Sequence, residues 1–151
     1  MEIFTRVTTL IAVILAVLLS SVWTAKADDE ILTICNNEDL ATLLISDGGG
    51  VEEFVAKYKG KTIEFDGCVR GITVLSGNDY RRTRYAVLIY AWDYDEDSTH
   101  GSPDIMCYGV SHSDLDINIR EKTNVRITAK VERYDAQFNQ IVLKPVLLET
   151  R

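Results

Sequence analysis

Residues 61–69, KTIEFDGCV, alternate apolar and polar side chains with a period of two, and this stretch decides the fold class. The alternation predicts a half-buried strand in which Ile63 and Phe65 face a core. Residues 125–132, VRITAKVE, repeat the pattern and predict a second strand of the same kind. Gly67 would let the first strand bend, as a small barrel requires.

Three further stretches predict the remaining strands. Residues 85–92, YAVLIYAW, are apolar on both faces and indicate a central strand. Residues 105–110, IMCYGV, indicate a shorter strand, and residues 141–148 indicate the last one. Three strands, an irregular link and two strands favour a mainly β protein. We predict a small, five-stranded, partly open barrel that is OB-like, meaning like the oligonucleotide/oligosaccharide-binding type.

Two short helices are predicted before the barrel, within an N-terminal helical segment over residues 28–60. Asn36 or Asn37 can cap the first helix, whose apolar stripe is Leu40, Leu43 and Leu44. The stripe of the second helix has the helical spacing i, i+3, i+4 and i+7: Val51, Phe54, Val55 and Tyr58. The predicted barrel domain then covers residues 61–151.

Residues 1–27 have the features of a signal peptide. Arg6 precedes an uncharged apolar run at 10–19, LIAVILAVLL, and Ala25-Lys26-Ala27 offers a small-x-small cleavage site. We predict cleavage after Ala27 and a secreted, extracellular protein that no longer contacts the membrane. The alternative is a membrane anchor that is not cleaved, because residues 7–24 carry no charge and approach the length that spans a bilayer.

The chain is acidic, with a formal net charge of −7 at pH 7. Residues 1–27 carry Glu2 against Arg6 and Lys26, so the part that follows is one unit more negative. Such a surface repels phosphate groups at long range. The composition therefore argues against nucleic acid and anionic lipid, and favours a protein or glycan partner at the cell exterior.

Three cysteines follow the predicted cleavage site: Cys35, Cys68 and Cys107. In an oxidising compartment, an odd number suggests one disulfide and one remaining thiol. We predict a Cys68–Cys107 disulfide, because both residues lie in strand-like segments that could be neighbours. The alternative is that all three are small apolar residues in packing positions.

The acidic loop over residues 93–104 is a candidate metal site. Asp93, Asp95 and Asp97 stand at positions 1, 3 and 5 of a calcium-loop spacing, with Asp104 at position 12. The glycine of the sharp turn is missing from the match, and no predicted helix frames the loop. Calcium is the one cofactor that the sequence suggests, and the alternative is a solvated loop between two strands.

A basic and aromatic cluster near position 80, with the strand after it, is a candidate ligand-binding surface. It supplies six candidate contacts: Tyr80, Arg81, Arg82, Arg84, Tyr90 and Trp92. Tyrosines can stack on a ligand while arginines contact its backbone, and aromatic side chains on one strand face can form a platform for a sugar. The alternative is a charged hairpin rim that keeps a strand end soluble.

The sequence lacks a catalytic arrangement. Neither Gly-x-Ser-x-Gly nor Ser-x-x-Lys occurs, and no nucleophile, base and oxyanion donors can be named together. We therefore predict no catalytic residues and a protein that is not an enzyme.

Several short motifs resemble a known family: YKGKTIEFDG at 58–67, TRY at 83–85, LIYA at 88–91, DY at 93–94, ITAKV at 127–131 and ETR at 149–151. Over residues 31–151 the chain is similar to an uncharacterised bacterial secreted family, a domain of unknown function with an OB-like barrel. The resemblance implies this fold and export, and it implies no activity. We expect an exported, non-enzymatic binding or interaction module of unknown ligand. The alternative is a calcium-dependent structural or adhesive module that uses the acidic loop 93–104.

Overall fold

The computed structural model describes residues 30–46, 48–77, 79, 82–92, 104–115 and 118–151. Within these ranges the chain forms two short helices and six strands. In chain order the elements are β1 (Leu32–Thr33), α1 (Glu38–Ile45), α2 (Val51–Tyr58), β2 (Thr62–Ser76), β3 (Arg84–Tyr90), β4 (Ile105–Ser111), β5 (Asn124–Asp135) and β6 (Gln140–Thr150). None of the helices in the described ranges is long and apolar enough to cross a membrane.

The five longer strands form a closed, mixed barrel, which confirms the predicted mainly β class. β2 pairs antiparallel with β3 and with β5, β3 with β4, and β5 with β6, whereas β4 and β6 run parallel. The barrel is closed rather than partly open, because β2 is long enough to pair with both β5 and β3. Its residues 62–68 pair with β5, and its residues 68–76 pair with β3.

Alternation along β2 and β5 places the core inside the barrel. Ile63, Phe65, Val125 and Ile127 are each at most 4% exposed, as the period-two pattern predicts. The intervening residues point outward, so Glu64 and Asp66 of β2 lie opposite Thr128 and Arg126 of β5 on the outer face. The same alternation that fills the core therefore builds a polar strip on the outside.

Both predicted helices are present near the N-terminus. The side chain of Asn37 caps α1, where its Oδ1 accepts a hydrogen bond from the backbone N–H of Leu40 at 2.8 Å. The predicted stripe of α1 is buried, and so are three of the four stripe residues of α2: Leu40, Leu43, Leu44, Val51, Phe54 and Val55. The fourth, Tyr58, is only partly buried against the core. Helix α2 packs on β5 and β6, and Gly60 then turns the chain with a φ of +83° into β2.

None of the three cysteines is in a disulfide, which corrects the predicted Cys68–Cys107 pairing. Strand β3 lies between the two residues, since Cys68 is opposite Tyr90 and Cys107 is opposite Val87. Two strand spacings alone amount to about 10 Å, and the three-residue offset from Val87 to Tyr90 adds a further distance along β3. The separation therefore exceeds the roughly 7 Å that a disulfide can span between Cα atoms. Both thiols are buried, and burial raises the pKa of the Cys107 thiol to about 12. Cys35 is exposed.

Candidate functional site

A groove between helix α1 and the outer side of the barrel is the candidate site. Its volume of about 780 Å³ lies within the range of small-ligand sites. The lining divides by chemistry into two sets. The apolar lining includes Ile34, Leu44, Ile45 and Trp92, and the charged lining consists of Glu64, Asp66, Arg126 and Arg151.

The groove lies where two strands leave part of one β2 edge without a partner. β1 pairs with residues 63–64, and the ladder with β3 begins at Cys68. Residues 65–67 lie opposite neither strand in this register. The turn after β1 and the segment after β3 flank the gap, and they contribute Ile34 and Trp92 to the lining.

Three large apolar side chains of the lining are exposed to solvent. Ile34 is 57% exposed, Ile45 is 64% exposed and Trp92 is 39% exposed, whereas Leu44 is buried beneath them at 4%. The last turn of α1 explains the contrast, because Leu44 belongs to the stripe that faces the core and Ile45 lies beside it. Three large apolar side chains therefore reach solvent on one groove.

The charged lining is organised around Asp66. The Nε and Nη2 atoms of Arg126 donate to its two carboxylate oxygens at 2.8 and 3.1 Å, and Nη1 of Arg151 lies 3.3 Å from Oδ2. The hydrogen bond from Arg126 and the charge of Arg151 lower the pKa of Asp66, against the opposing effect of burial. Glu64 accepts a hydrogen bond from the Thr128 hydroxyl at 3.2 Å. These side chains are therefore held in place before any ligand arrives.

We expect Asp66→Asn to lower the free energy of unfolding at pH 7 by less than about 1 kcal/mol, because the ion pairs are partly solvated. The folded-state pKa of Asp66 is depressed. Its stabilisation is therefore present above the unfolded-state pKa, near 4, and is lost as the pH falls through the folded-state value. The difference between the variant and the wild type should shrink below about pH 4. Urea denaturation from pH 3 to pH 7 measures it.

The control is Glu132→Gln, which removes an exposed carboxylate of β5 that belongs to none of these ion pairs. This substitution should leave the pH dependence of the wild type unchanged. An Asp66→Asn deficit that persists undiminished at pH 3 would contradict the assignment of the stabilisation to the ionised carboxylate.

The candidate contacts predicted from the sequence do not form one surface. Tyr80 and Arg81 lie outside the described residues. Arg82 and Arg84 are exposed at the start of β3, and Arg84 Nη1 donates to the carbonyl of Thr83 at 3.1 Å. Trp92 lies two residues beyond the other end of this strand, which is itself about 20 Å long from Arg84 to Tyr90. Of the four predicted contacts that the structure describes, the groove contains Trp92 alone.

Tyr90 lies in a separate polar cluster on the outside of the barrel. Tyr90 is 37% exposed, and the guanidinium carbon of Arg70 lies 4.9 Å from the centroid of its ring. Arg70 also donates to Oδ1 of Asp104 at 3.0 Å. Asp104, the last acid of the predicted calcium loop, is therefore engaged by a cation.

The other three acids of the predicted calcium site, Asp93, Asp95 and Asp97, lie outside the described residues. Across the part of the chain that the structure describes, no group of three or more His, Cys, Asp or Glu side chains could hold a metal ion. Calcium binding at the loop stays a prediction.

The fold defines a class: a mainly β protein with a closed, five-stranded mixed barrel, two short N-terminal helices and an amphipathic surface groove. The chain belongs to the family described as a domain of unknown function, DUF4839, which it matches over residues 35–151. This match confirms the resemblance to a family of unknown function. No curated protein and no solved structure matches the chain.

Proposed function

We propose that the protein is an exported, non-enzymatic binding module that holds its ligand in the groove beside α1. The observation that carries this proposal is the exposure of Ile34, Ile45 and Trp92 on one groove. A folded protein exposes such a group at a cost in solubility unless a ligand or partner covers it. The charged lining supplies the fixed polar groups that orient a ligand.

Two features support the rest of the proposal. The uncharged run at 10–19 and the Ala25-Lys26-Ala27 site are typical of a segment that directs export. The barrel has the strand number of the OB-like class, whose members bind ligands through the strand faces and loops. The groove lies instead on β2, β5 and α1, so its ligand need not be of the kind that this class binds on its usual face.

A melting-temperature panel with and without an altered groove tests the proposal. The protein, purified in the form in which the cell accumulates it, is titrated with calcium, other divalent metals, cell-wall glycans, peptides and short single-stranded oligonucleotides. A ligand at about a hundred times its Kd adds roughly 2.7 kcal/mol, a rise of about 10 °C for a folded unit of this size. We expect one class to produce this rise and Ile45→Lys, which places a charge in the apolar lining, to abolish it.

The matched control is Val74→Lys. Val74 is 60% exposed on β2, comparable to Ile45 at 64%, and it does not line the groove. This variant should keep the full rise. A rise with calcium that survives Ile45→Lys would contradict the proposal and support a calcium-dependent module, and a panel in which no class stabilises the protein would also contradict it.

A further inference from the structure

We infer that the groove takes a neutral oligosaccharide, with Trp92 stacking on a sugar ring and the charged lining contacting its hydroxyl groups. This inference rests on the proposed function and names the ligand class of the same site. Three properties of the groove support it: the internal balance of its charges, the limited access to the backbone of β2, and the pairing of an exposed indole with fixed donors and acceptors.

The charges of the groove balance one another. Its lining contains two carboxylates, Glu64 and Asp66, and two guanidinium groups, those of Arg126 and Arg151. Both guanidinium groups contact the same Asp66 carboxylate. A phosphate or another anion at these guanidinium groups would also lie beside the carboxylates of Asp66 and Glu64, which repel it, in a chain whose formal net charge is already −7. The groove is therefore complementary to an uncharged polar ligand.

The backbone around the groove offers little to an extended peptide. Peptides that add a strand need a row of unpaired N–H and C=O groups along a sheet edge. β5 covers one edge of β2, and β1 and β3 cover most of the other, which leaves residues 65–67. Gly67 is itself pressed against the Tyr90 carbonyl, where an added Cβ would overlap the carbonyl oxygen. The accessible edge is thus too short for a strand ladder.

The side chains of the groove provide a stacking surface and hydrogen-bonding groups for a sugar. One face of a pyranose ring presents C–H groups, which pack on an indole, and Trp92 keeps 39% of its surface open for this contact. Sugar hydroxyls both donate and accept hydrogen bonds. The carboxylates of Glu64 and Asp66 accept, and the guanidinium groups of Arg126 and Arg151 donate. The hydrogen bonds among these side chains fix their positions, so that a ligand orders few new rotamers when it binds.

Tryptophan fluorescence provides a direct test at the site. The chain has two tryptophans, Trp23 and Trp92, so a Trp23→Phe background leaves Trp92 as the single reporter. The probes are maltotetraose, cellotetraose, tetra-N-acetylchitotetraose and mannotetraose, each up to about 10 mM, a range that detects millimolar affinity. We expect at least one of them to shift or quench the Trp92 emission in a saturable way.

Variants connect the signal to the proposed contacts, and titration calorimetry measures them. Trp92→Ala should weaken binding roughly tenfold or more, and Trp92→Tyr should stay within about fivefold of the wild type, because a phenol ring can also stack. The matched control is Tyr108→Ala, which removes an aromatic ring that is 46% exposed on β4 and outside the groove. It should leave the affinity unchanged within about twofold.

Two comparison probes separate this inference from the proposed function. They are octathymidylate and a capped, alternating Val-Thr octapeptide. If either one perturbs Trp92 while the four tetrasaccharides do not, and Ile45→Lys abolishes the effect, the ligand class is wrong and the binding function of the groove stands. If no saccharide perturbs Trp92, the inference is overturned. The proposed function fails separately, when no class in the melting-temperature panel stabilises the protein.

Discussion

Gly67→Ala should lower the free energy of unfolding by about 3 kcal/mol or more, a fall of about 10 °C in Tm. Gly67 lies in β2 where the strand turns from β5 to β3. An alanine Cβ at this position would overlap the Tyr90 carbonyl oxygen and lie 2.9 Å from Cγ2 of Ile89. Since the obstructing atom belongs to the backbone of β3, a side-chain rotation cannot relieve the overlap, and the two strands must move apart.

Gly71→Ala is the matched control on the same strand. An added Cβ at Gly71 meets nothing within 4 Å, and Gly71 is not among the glycines with positive φ. The substitution should therefore change the free energy of unfolding by less than about 1 kcal/mol, in either direction. Urea denaturation followed by circular dichroism measures both variants. Equal losses at the two positions would show that the close approach at Gly67 does not limit the closure of the barrel.

Gly67 shows which structural features the local sequence pattern predicts and which it does not. The alternation in residues 61–69 predicts which side chains enter the core, and a glycine in such a strand predicts a bend. The reason for the glycine comes from elsewhere in the chain, because Tyr90 reaches it only when β3 crosses β2. A period-two pattern decides which face of a strand turns inward but leaves shifts of two residues open, so the contact could not be predicted.

The groove was not predicted from the sequence, for a related reason. Its charged lining joins Asp66 to Arg126, which lie 60 positions apart, and the register of β2 with β5 brings them together. The sequence did indicate that Asp66 and Arg126 are outward residues on the two strands with the clearest alternation. Pairing those strands in the correct register would have placed them side by side. The apolar lining gave a weaker signal, because an isoleucine directly beside the buried stripe of α1 does not by itself indicate a groove.

The predicted ligand-binding surface shows the opposite error, in which proximity in sequence was taken for proximity in space. Arg84 and Trp92 belong to one continuous segment, but an extended strand carries its ends apart by about 3.4 Å per residue. Trp92 therefore joins α1 and β5 at the groove, whereas Arg84 stays at the far end of β3. Clusters in a strand sequence indicate a shared site only when the residues share a face and are few positions apart.

Leu40→Ala should have the second large effect, a loss of about 3 kcal/mol in the free energy of unfolding. Leu40 is 0% exposed in the first turn of α1, where it packs into the main core cluster. Alanine has a higher helix propensity than leucine, so the helix itself would not be weakened and the loss would come from the cavity. Because α1 supplies Leu44 and Ile45 to the groove, the same cavity should also loosen one part of the site.

Ile45→Ala is the control on the same helix. Ile45 is 64% exposed, so its truncation should cost less than about 0.5 kcal/mol.

Urea denaturation gives the stabilities, and native-state hydrogen exchange of the α1 amides reports local opening. We expect faster exchange of α1 in Leu40→Ala at a denaturant concentration where the barrel strands are still protected. If α1 and the barrel lose protection together, the helix and the barrel unfold as one unit, and the groove is as rigid as the core on which it rests. If Leu40→Ala costs no more than Ile45→Ala, α1 is not anchored by its buried stripe, and the groove has no fixed apolar lining to offer a ligand.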